Sequence, residues 1–248
     1  MTSTVRPRRS VLYMPGSNAR ALEKARSIPA DAFIFDLEDA VAPEAKELAR
    51  RQVRDAVKSG GFGEAERIVR VNGLGTPWGR DDAAAMASSG ADAVLLPKVE
   101  SAADVRALAD ILGASGGSGL PIWCMVETPK GVLRAEDIAA APGVAVLVMG
   151  TSDLTKDLHA RHTAGRAPML ASLGLCLLAA RSFGRGIVDG VHLDLADESG
   201  FESACRQGVE LGFDGKTLIH PKQVDACNRV FAPSPAEVAE ARNIIAAF

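Results

Sequence analysis

Two carboxylate residues follow apolar runs whose composition is typical of buried strands. Glu127 comes directly after the run 121–126, and Asp153 is separated from Val144–Met149 by the short segment 150–152. A carboxylate just beyond the carboxyl end of a strand lies on the face where α/β barrels place their active sites. Mg²⁺ binds through one or two protein carboxylates and keeps positions for water and substrate oxygens. The two residues together therefore predict a magnesium site.

Further charged residues stand at the ends of the other predicted strands. One such charge can simply form a salt bridge at a barrel rim, but several on one face are typical of a metal-assisted site for an anionic substrate. Glu38 and Asp39 are expected either to orient Arg70 and metal-bound waters or to form a rim salt bridge. The strand-end residues are Glu38 and Asp39 (second strand), Arg70 (third), Lys98 and Glu100 (fourth), Asp194 and Asp197 (seventh), and His220 (eighth).

The elements that would bring these residues together are eight short segments rich in β-branched residues. Segments such as Ala93–Leu96 are continuously apolar, as parallel strands buried on both faces are. Eight strand-then-helix units predict one (β/α)₈ TIM barrel domain over residues 1–248. A doubly wound open sheet is the alternative, but it would more often carry a Gly-rich dinucleotide loop after the first strand. The predicted strands span 10–14, 32–37, 67–72, 93–97, 122–126, 145–149, 190–195 and 216–219.

Helical patterns separate these strands. The polar segment 155–168 is the one long connection, and we expect either a solvated surface loop or a lid that contacts an anionic substrate. The helical patterns span 19–27, 45–59, 80–89, 102–112, 133–140, 170–183 and 202–211, and another begins near Pro221.

A last helix is expected at about 235–247, in addition to the helices of the barrel. Its apolar residues recur mainly at three- and four-residue spacing, which gives one apolar stripe. We expect this stripe to bury against another subunit of a homo-oligomer, with capping of its own barrel as the alternative. The stripe consists of Val238, Ala241, Ile244, Ile245 and Phe248.

The composition argues against several classes of partner. The 28 basic and 31 acidic residues give a net charge of −3, and no basic block suggests nucleic-acid binding. No apolar stretch reaches the roughly 18 residues that a membrane span requires, and the basic start has no signal-peptide core. The four cysteines form no C-x-x-C pair, which is typical of reduced thiols in a cytoplasmic protein.

Seven segments, taken in order and spacing, resemble the citrate lyase β-subunit-like family. This family includes malyl-CoA and citramalyl-CoA lyases and belongs to the wider HpcH/HpaI aldolase group. The resemblance covers about residues 9–245. The segments are RSVLYMPGS (9–17), FDLEDAV (35–41), VRVNG (69–73), LPKV (96–99), VET (126–128), GTSDL (150–154) and GKTLIHP (215–221).

The resemblance implies a trimeric or hexameric barrel enzyme that makes or breaks a C–C bond between a CoA-thioester enolate and a 2-oxo acid, with Mg²⁺. Glu127 and Asp153 match the metal ligands, so Glu127 would also lie against the substrate. Arg70 matches the arginine that holds the oxo-acid carboxylate, and its planar fork suits that group better than a lysine would. Backbone N–H groups of Gly150, Thr151 and Ser152 are expected to bind the same carboxylate.

The resemblance leaves the reaction open. Family members typically continue into a C-terminal segment whose Asp acts on the thioester α-carbon in a neighbouring subunit, and no such segment stands in this sequence. A lyase that cleaves citryl-, malyl- or citramalyl-CoA into acyl-CoA and a 2-oxo acid is the leading interpretation. The alternatives are a thioesterase for the same esters, a class II aldolase for free hydroxy acids, and a non-catalytic subunit that binds an oxo acid. The segment 33–41 contains no His, which favours a thioester over a free acid.

Overall fold

The computed structural model describes residues 6–247, in which eight parallel strands close into a barrel in sequence order, with β1 paired to β8. The expected (β/α)₈ architecture is confirmed. The strands are β1 (Ser10–Pro15), β2 (Ala32–Asp36), β3 (Glu66–Arg70), β4 (Ala93–Leu96), β5 (Ile122–Val126), β6 (Val144–Met149), β7 (Gly186–Asp189) and β8 (Gly215–Leu218).

Helices follow the strands around the outside of the barrel. Their bounds are α1 (Ala19–Ala25), α2 (Lys46–Ser59), α3 (Gly79–Met86), α4 (Ala102–Ala114), α5 (Pro129–Leu133), α6 (Ala135–Ala140), α7 (Thr151–Asp157), α8 (Leu170–Ser182), α9 (Glu198–Leu211), α10 (Val224–Phe231) and α11 (Pro235–Ala247). Three short 3₁₀ turns cover Pro43–Ala45, Ala167–Met169 and Pro221–Gln223. No helix within residues 6–247 is both long enough and apolar enough to cross a membrane.

The apolar strands divide their side chains between two cores. In β4, Leu95 belongs to the cluster that fills the barrel, whereas Val94 and Leu96 belong to the larger cluster between sheet and helices. Successive side chains of a strand point to opposite faces, so a strand buried on both faces must be apolar throughout. This is why the strand runs lack the alternation of half-exposed strands.

The register of the strands brings the candidate site together at their carboxyl ends. Asp36 of β2 stands beside Arg70 of β3, and Val126 of β5 stands beside Met149 of β6. The residues that follow β5 and β6 therefore begin at the same level. At the end of β1, Gly16 donates to the carbonyl of Asp36, and a Cβ on Gly16 would lie 2.6 Å from that oxygen.

The seventh strand differs from its predicted position at 190–195. The structure forms Gly186–Asp189 as β7, while the predicted segment is a loop in which Leu193 is 51% exposed. The alternation of apolar and polar residues in 190–195 imitates a half-buried strand, but a barrel strand needs both faces covered. The shorter pair Ile187 and Val188 is fully buried and meets that need. The other seven strands lie within two residues of their predicted bounds.

The predicted loop 155–168 and the predicted helix 133–140 also require correction, and α9 begins at Glu198, four residues before its predicted start. The expected loop 155–168 begins inside α7, which starts at Thr151 immediately after β6 and buries Leu154. The connection proper is therefore shorter and spans 158–166. The predicted helix 133–140 is divided at Arg134 into α5 and α6. The last helix has its expected bounds, and Phe248 of its predicted stripe lies outside the described residues.

Candidate active site

Arg70, the last residue of β3, is held by the last residue of β2. Its Nε and Nη2 donate to the two carboxylate oxygens of Asp36 at 2.7 and 2.6 Å, and both side chains are buried. Asp36 also accepts the backbone N–H groups of Glu38 and Ala40, each at 2.9 Å. Although burial raises the pKa of Asp36, the Arg70 guanidinium lowers it below its usual value. Asp36 is thus the residue that orients Arg70.

The remaining edge of Arg70 is less completely paired. Its Nη1 lies 2.9 Å from Oε2 of Glu38 and 3.7 Å from Oδ2 of Asp39, and it donates to the Met125 sulfur at 3.7 Å. Oε2 of Glu38 is buried, and its contact with Nη1 is an ion pair without hydrogen-bond geometry. The two-nitrogen fork that the sequence analysis assigned to a substrate carboxylate is engaged with Asp36 instead. Nη1 faces Glu38, Asp39 and Met125, on the edge of the guanidinium that Asp36 does not hold.

Glu127 follows β5 and is almost wholly buried. Its Oε1 accepts the backbone N–H of Lys98 at 2.9 Å, and Lys98 adopts a left-handed backbone conformation with φ of 49°. Gly150 makes room for the carboxylate, because a Cβ there would lie 2.6 Å from Oε2 of Glu127. Burial, and then the carboxylate of Glu38, raise the pKa of Glu127 to about 7. A bound cation would favour the ionised form.

Asp153 lies in the first turn of α7, with 34% of its side chain exposed. The Lys98 ammonium lies 3.0 Å from Oδ2 of Asp153 and 3.6 Å from Oε1 of Glu38. Lys98 therefore contacts both candidate metal ligands, Asp153 through its side chain and Glu127 through its backbone N–H.

A cavity of about 390 Å³ opens among these residues. It brings together Arg70, Glu127 and Asp153 with the segment 150–152, as the sequence analysis expected of one site. Asp39 lines it too, whereas Glu38 contributes through its contacts with Arg70 and Lys98. The remaining lining residues are Tyr13, Asp36, Ala40, Met125, Met149, Val191, Leu193, Thr217 and Ile219.

The donor set fits a hard divalent cation better than a transition metal. Within the described part of the chain, no three His, Cys, Asp or Glu side chains are arranged to hold a metal. Mg²⁺ needs fewer protein ligands, and Glu127 with Asp153 can supply two oxygens while water and substrate complete the octahedron. The region also carries excess negative charge, since five carboxylates around the cavity face the two cations Arg70 and Lys98.

Other strand-end residues from the sequence analysis do not line this cavity. Glu100 pairs with Lys130 at 2.7 Å, and the His220 ring accepts the backbone N–H of Lys222 at the start of a 3₁₀ turn. Asp194 and Asp197 lie beyond the true end of β7, in or next to the exposed loop after it. These residues have local structural partners or face solvent.

A second group of charges, at β7 and β8, was missed by the sequence analysis. Asp189 is fully buried and accepts from Lys216 Nζ at 2.9 Å and from Arg166 Nη1 at 2.6 and 2.8 Å. Lys216 also donates to the carbonyl of Gly190, and Arg166 donates to Gln207 at 2.7 Å. Asp189 was not recognised as a strand-end residue because the seventh strand was predicted at 190–195, just after it. A lysine in the buried run Gly215–Leu218 was the available signal, because a buried ammonium requires a partner.

Residues 9–221 of this chain match the HpcH/HpaI aldolase/citrate lyase family. The chain belongs to this family. Among members of the HpcH/HpaI family, the (3S)-malyl-CoA thioesterase of Cereibacter sphaeroides is 52% identical over 248 residues, which cover 100% of this chain and 85% of the relative. The citrate lyase subunit beta of Escherichia coli is 38% identical over 251 residues, which cover 98% of this chain and 82% of the relative.

Solved structures of the HpcH/HpaI family share the fold. The citrate lyase beta subunit from Mycobacterium tuberculosis, complexed with oxaloacetate and magnesium, has a TM-score of 0.80 at 33% identity and covers 92% of this chain and 98% of its own. The protein CitE from the same organism, in complex with magnesium, acetoacetate and coenzyme A, has a TM-score of 0.79 at 33% identity. The match covers 97% of this chain and 86% of CitE. The predicted family and fold are both confirmed.

Proposed function

We propose that this protein is a Mg²⁺-dependent enzyme that hydrolyses 3-hydroxyacyl-CoA thioesters of the malyl-, citramalyl- or citryl-CoA type. The observation that carries the proposal is the cavity where Arg70, Glu127 and Asp153 meet, in a chain 52% identical along its whole length to a (3S)-malyl-CoA thioesterase. Magnesium is present in the complexes of two similar citrate lyase structures, which supports the choice of metal.

Glu127 and Asp153 would hold the metal from two adjacent strand ends. When bound, Mg²⁺ would polarise a substrate oxygen and neutralise charge that develops on it. Glu127 is fixed for this role by the Lys98 N–H and by the close approach of Gly150. Asp153 is more exposed, and its partner Lys98 is 49% exposed. The Asp153 carboxylate can therefore leave Lys98 and turn toward a cation.

Arg70 would fix the carboxylate end of the substrate. Asp36 grips one edge of the guanidinium, so the position of Nη1 is set before substrate binds. A donor that is already oriented loses little entropy when it pairs with a carboxylate. The backbone N–H groups of Thr151 and Ser152 would bind the same carboxylate, whereas the N–H of Gly150 already donates to the carbonyl of Val126 at 3.0 Å.

A carbon–carbon lyase is the second candidate, favoured by the 38% identity to a citrate lyase subunit beta. Hydrolysis adds water to the thioester carbonyl, breaks the C–S bond, and releases the hydroxy acid and free CoA thiol. Lyase action removes the hydroxyl proton, forms a C=O bond at Cβ and breaks the Cα–Cβ bond. The thioester enolate left at Cα then takes a proton, which gives acyl-CoA and a 2-oxo acid. The same metal and carboxylate contacts would position the substrate for either reaction.

The deciding experiment incubates the purified protein with MgCl₂ and each of malyl-, citramalyl- and citryl-CoA. Free thiol and 2-oxo acid are measured separately, with and without EDTA. We expect Mg²⁺-dependent release of thiol without oxo acid. Oxo acid together with intact acyl-CoA would establish the lyase instead, and no Mg²⁺-dependent product from any ester would overturn both candidates.

A matched pair of variants ties the activity to the cavity. Asp153→Asn removes a carboxylate that lines it, whereas Glu100→Gln removes one that pairs with Lys130 outside it. We expect the first variant to lose Mg²⁺-dependent turnover and the second to keep it. Equal activity in both variants would contradict the metal assignment.

The proposed assembly is a homotrimer with α11 at or near the subunit interface. This helix buries none of its own residues, and Ile244 and Ile245 are 53% and 75% exposed. Exposed apolar side chains on a helix that buries none of its residues favour burial against another surface. Deletion of the residues after Ala232 should lower the mass seen by light scattering from trimer toward monomer.

Point variants on α11 provide the control for that deletion. Ile244→Glu combined with Ile245→Glu should lower the mass in the same way, because charge would enter the apolar contact. Arg242→Glu changes the charge of the same helix without removing apolar surface, and it should leave the mass unchanged. A parent protein that is a monodisperse monomer at micromolar concentration would refute the interface.

A further inference from the structure

Tyr13 is the single tyrosine of the chain, and its hydroxyl is buried without a hydrogen-bond partner. It stands near the end of β1, paired in register with Ile34 of β2. Its side chain packs against the apolar cluster inside the barrel and also lines the cavity. Buried tyrosine hydroxyls usually find a partner, so an unpaired one at a cavity wall calls for an explanation.

The surroundings of Tyr13 belong to the candidate active site. The Cζ atom of Arg70 lies 5.0 Å from the centre of the Tyr13 ring, which places the guanidinium over the ring face. Asp36 and Glu127 line the same cavity; both carboxylate oxygens of Asp36 accept from Arg70, and Oε1 of Glu127 accepts the Lys98 N–H. Burial raises the pKa of Tyr13, so the hydroxyl keeps its proton and remains a donor.

Trp123 shows that an unpaired polar atom is not enough by itself to mark a ligand contact. Its Nε1 is also buried without a partner, but the indole lies in the apolar cluster inside the barrel and does not line the cavity. Tyr13 differs because it lines the cavity that Arg70 and Glu127 also line. A ligand that fills the cavity would therefore lie against Tyr13 and not against Trp123.

We infer that the Tyr13 hydroxyl donates a hydrogen bond to an oxygen on the carboxylate-bearing part of the substrate, beside Arg70. This role depends on the proposed function, and it adds a substrate-contacting residue on β1 to the residues on β3, β5 and β6. The ligand class is a small 2-oxo or 2-hydroxy carboxylic acid, either free or as the acid end of a CoA thioester.

Tyr13→Phe tests this role through two effects of opposite sign. Removal of an unpaired hydroxyl should leave the Tm of the ligand-free protein unchanged or raise it. The same change should weaken binding of oxaloacetate, pyruvate or malate in the presence of Mg²⁺ by roughly tenfold, the effect of one hydrogen bond in a closed site. Calorimetric titration of each acid and thermal unfolding measure the two effects. Mg²⁺ titration without acid should match the parent.

Ser89→Ala is the matched control because it removes a buried hydroxyl that does have partners. Ser89 donates to the carbonyl of Met86 at 2.9 Å and accepts the N–H of Ala91 at 3.2 Å, away from the cavity. It should lower the Tm and leave acid binding unchanged. Acid binding by Tyr13→Phe equal to that of the parent, or a fall in Tm like that of the control, would overturn the role of Tyr13 alone. A parent that binds none of the acids with Mg²⁺ would overturn the proposed function as well.

Discussion

Two groups of charged side chains in this barrel are built in opposite ways. The mouth cluster comprises Asp36, Glu38, Asp39, Arg70, Lys98, Glu127 and Asp153 around the open cavity. The buried triad comprises Asp189 at the end of β7, Lys216 inside β8, and Arg166 from the connection 158–166. Both lie among parallel strands of the same sheet, so the difference between them comes from the pairing of the charges and not from the fold.

The mouth cluster is left incomplete. Its carboxylates outnumber its cations, Oε2 of Glu38 has an ion pair without hydrogen-bond geometry, and the pKa of Glu127 is raised to about 7 by burial and by Glu38. The buried triad is complete. Asp189 accepts from two cations, and Lys216 also donates to the carbonyl of Gly190. Satisfied buried charges rigidify a protein, whereas unsatisfied ones beside a cavity favour a ligand that completes them.

Glu127→Gln should give the largest functional effect. Loss of groups that merely support a metal ligand typically costs about 10–100-fold in affinity or activity, so loss of a ligand itself should cost more than roughly 100-fold. We expect Mg²⁺ binding by calorimetry and Mg²⁺-dependent turnover to fall by at least this factor.

The same variant should not destabilise the metal-free protein at pH 8. Because the pKa of Glu127 is raised from 4.5 to about 7, its contribution to stability is full below pH 4.5 and is lost as the pH rises through about 7. Glutamine is neutral at every pH and can still accept the Lys98 N–H. The Tm of Glu127→Gln should equal or exceed that of the parent at pH 8, and any advantage should shrink toward pH 5. A lower Tm at pH 8 with intact Mg²⁺ binding would make Glu127 structural.

Asp189→Asn should have the opposite signature, a large loss of stability. It leaves the buried Lys216 and the half-buried Arg166 without a counter-charge, and removal of one partner of a buried pair costs about 3–5 kcal/mol. Chemical denaturation at pH 7 measures this loss. The double variant Asp189→Asn with Lys216→Met should recover part of it, because one unpaired charge is removed as well. A fall in the free energy of unfolding of less than about 1 kcal/mol is what a surface ion pair would give. It would show that the buried triad is no more important for stability than exposed charges are.

The dependence of the free energy of unfolding on pH, measured in acid, provides a further check on the buried triad. Burial raises the pKa of Asp189, but Lys216 and Arg166 lower it further, to a net value below 3.8. The stabilisation from Asp189 is therefore present above pH 3.8 and is lost as the pH falls through the lower folded-state value. The parent should lose this contribution in acid, and Asp189→Asn should lack it. If the free energy of unfolding of both proteins depends on pH in the same way in acid, the pairing of Asp189 with the two cations is contradicted.

Arg70→Lys should weaken acid binding by about tenfold or more. A lysine is a point charge and cannot keep both hydrogen bonds to Asp36 while it presents a further donor toward the cavity. Calorimetric titration with oxaloacetate or pyruvate in the presence of Mg²⁺ measures the change. If the variant binds these acids as well as the parent does, Arg70 is a structural residue of the rim.

Lys98→Met should give the smallest effect, and in the opposite direction. The Lys98 ammonium competes with a cation for Asp153 and Glu38, but it is 49% exposed, so the competition is screened by solvent. We expect Mg²⁺ to bind roughly two- to fivefold more tightly, the range that exposed pairs support. Lys130→Met is the control, since Lys130 is 57% exposed and pairs with Glu100 outside the cluster. Weaker Mg²⁺ binding by Lys98→Met would show that Lys98 organises the ligands.

The amino-acid sequence by itself determined the barrel and the position of several candidate residues. Strands buried on both faces must be apolar throughout, and this requirement is visible in runs such as Val144–Met149 without any knowledge of their neighbours. A residue that follows such a run must stand at the mouth of a parallel barrel. Glu127 and Asp153 could therefore be assigned to one face, and the structure lines one cavity with both.

Only the tertiary structure decided which partners these residues have. Asp36 and Arg70 are 34 positions apart, and their pairing depends on the register between β2 and β3. The unpaired hydroxyl of Tyr13 is a property of its surroundings in space, which no local pattern encodes. The seventh strand could not be placed because two adjacent segments both resemble strands. Burial on both faces selects Gly186–Asp189, and that burial exists only once the neighbouring strands and helices have packed.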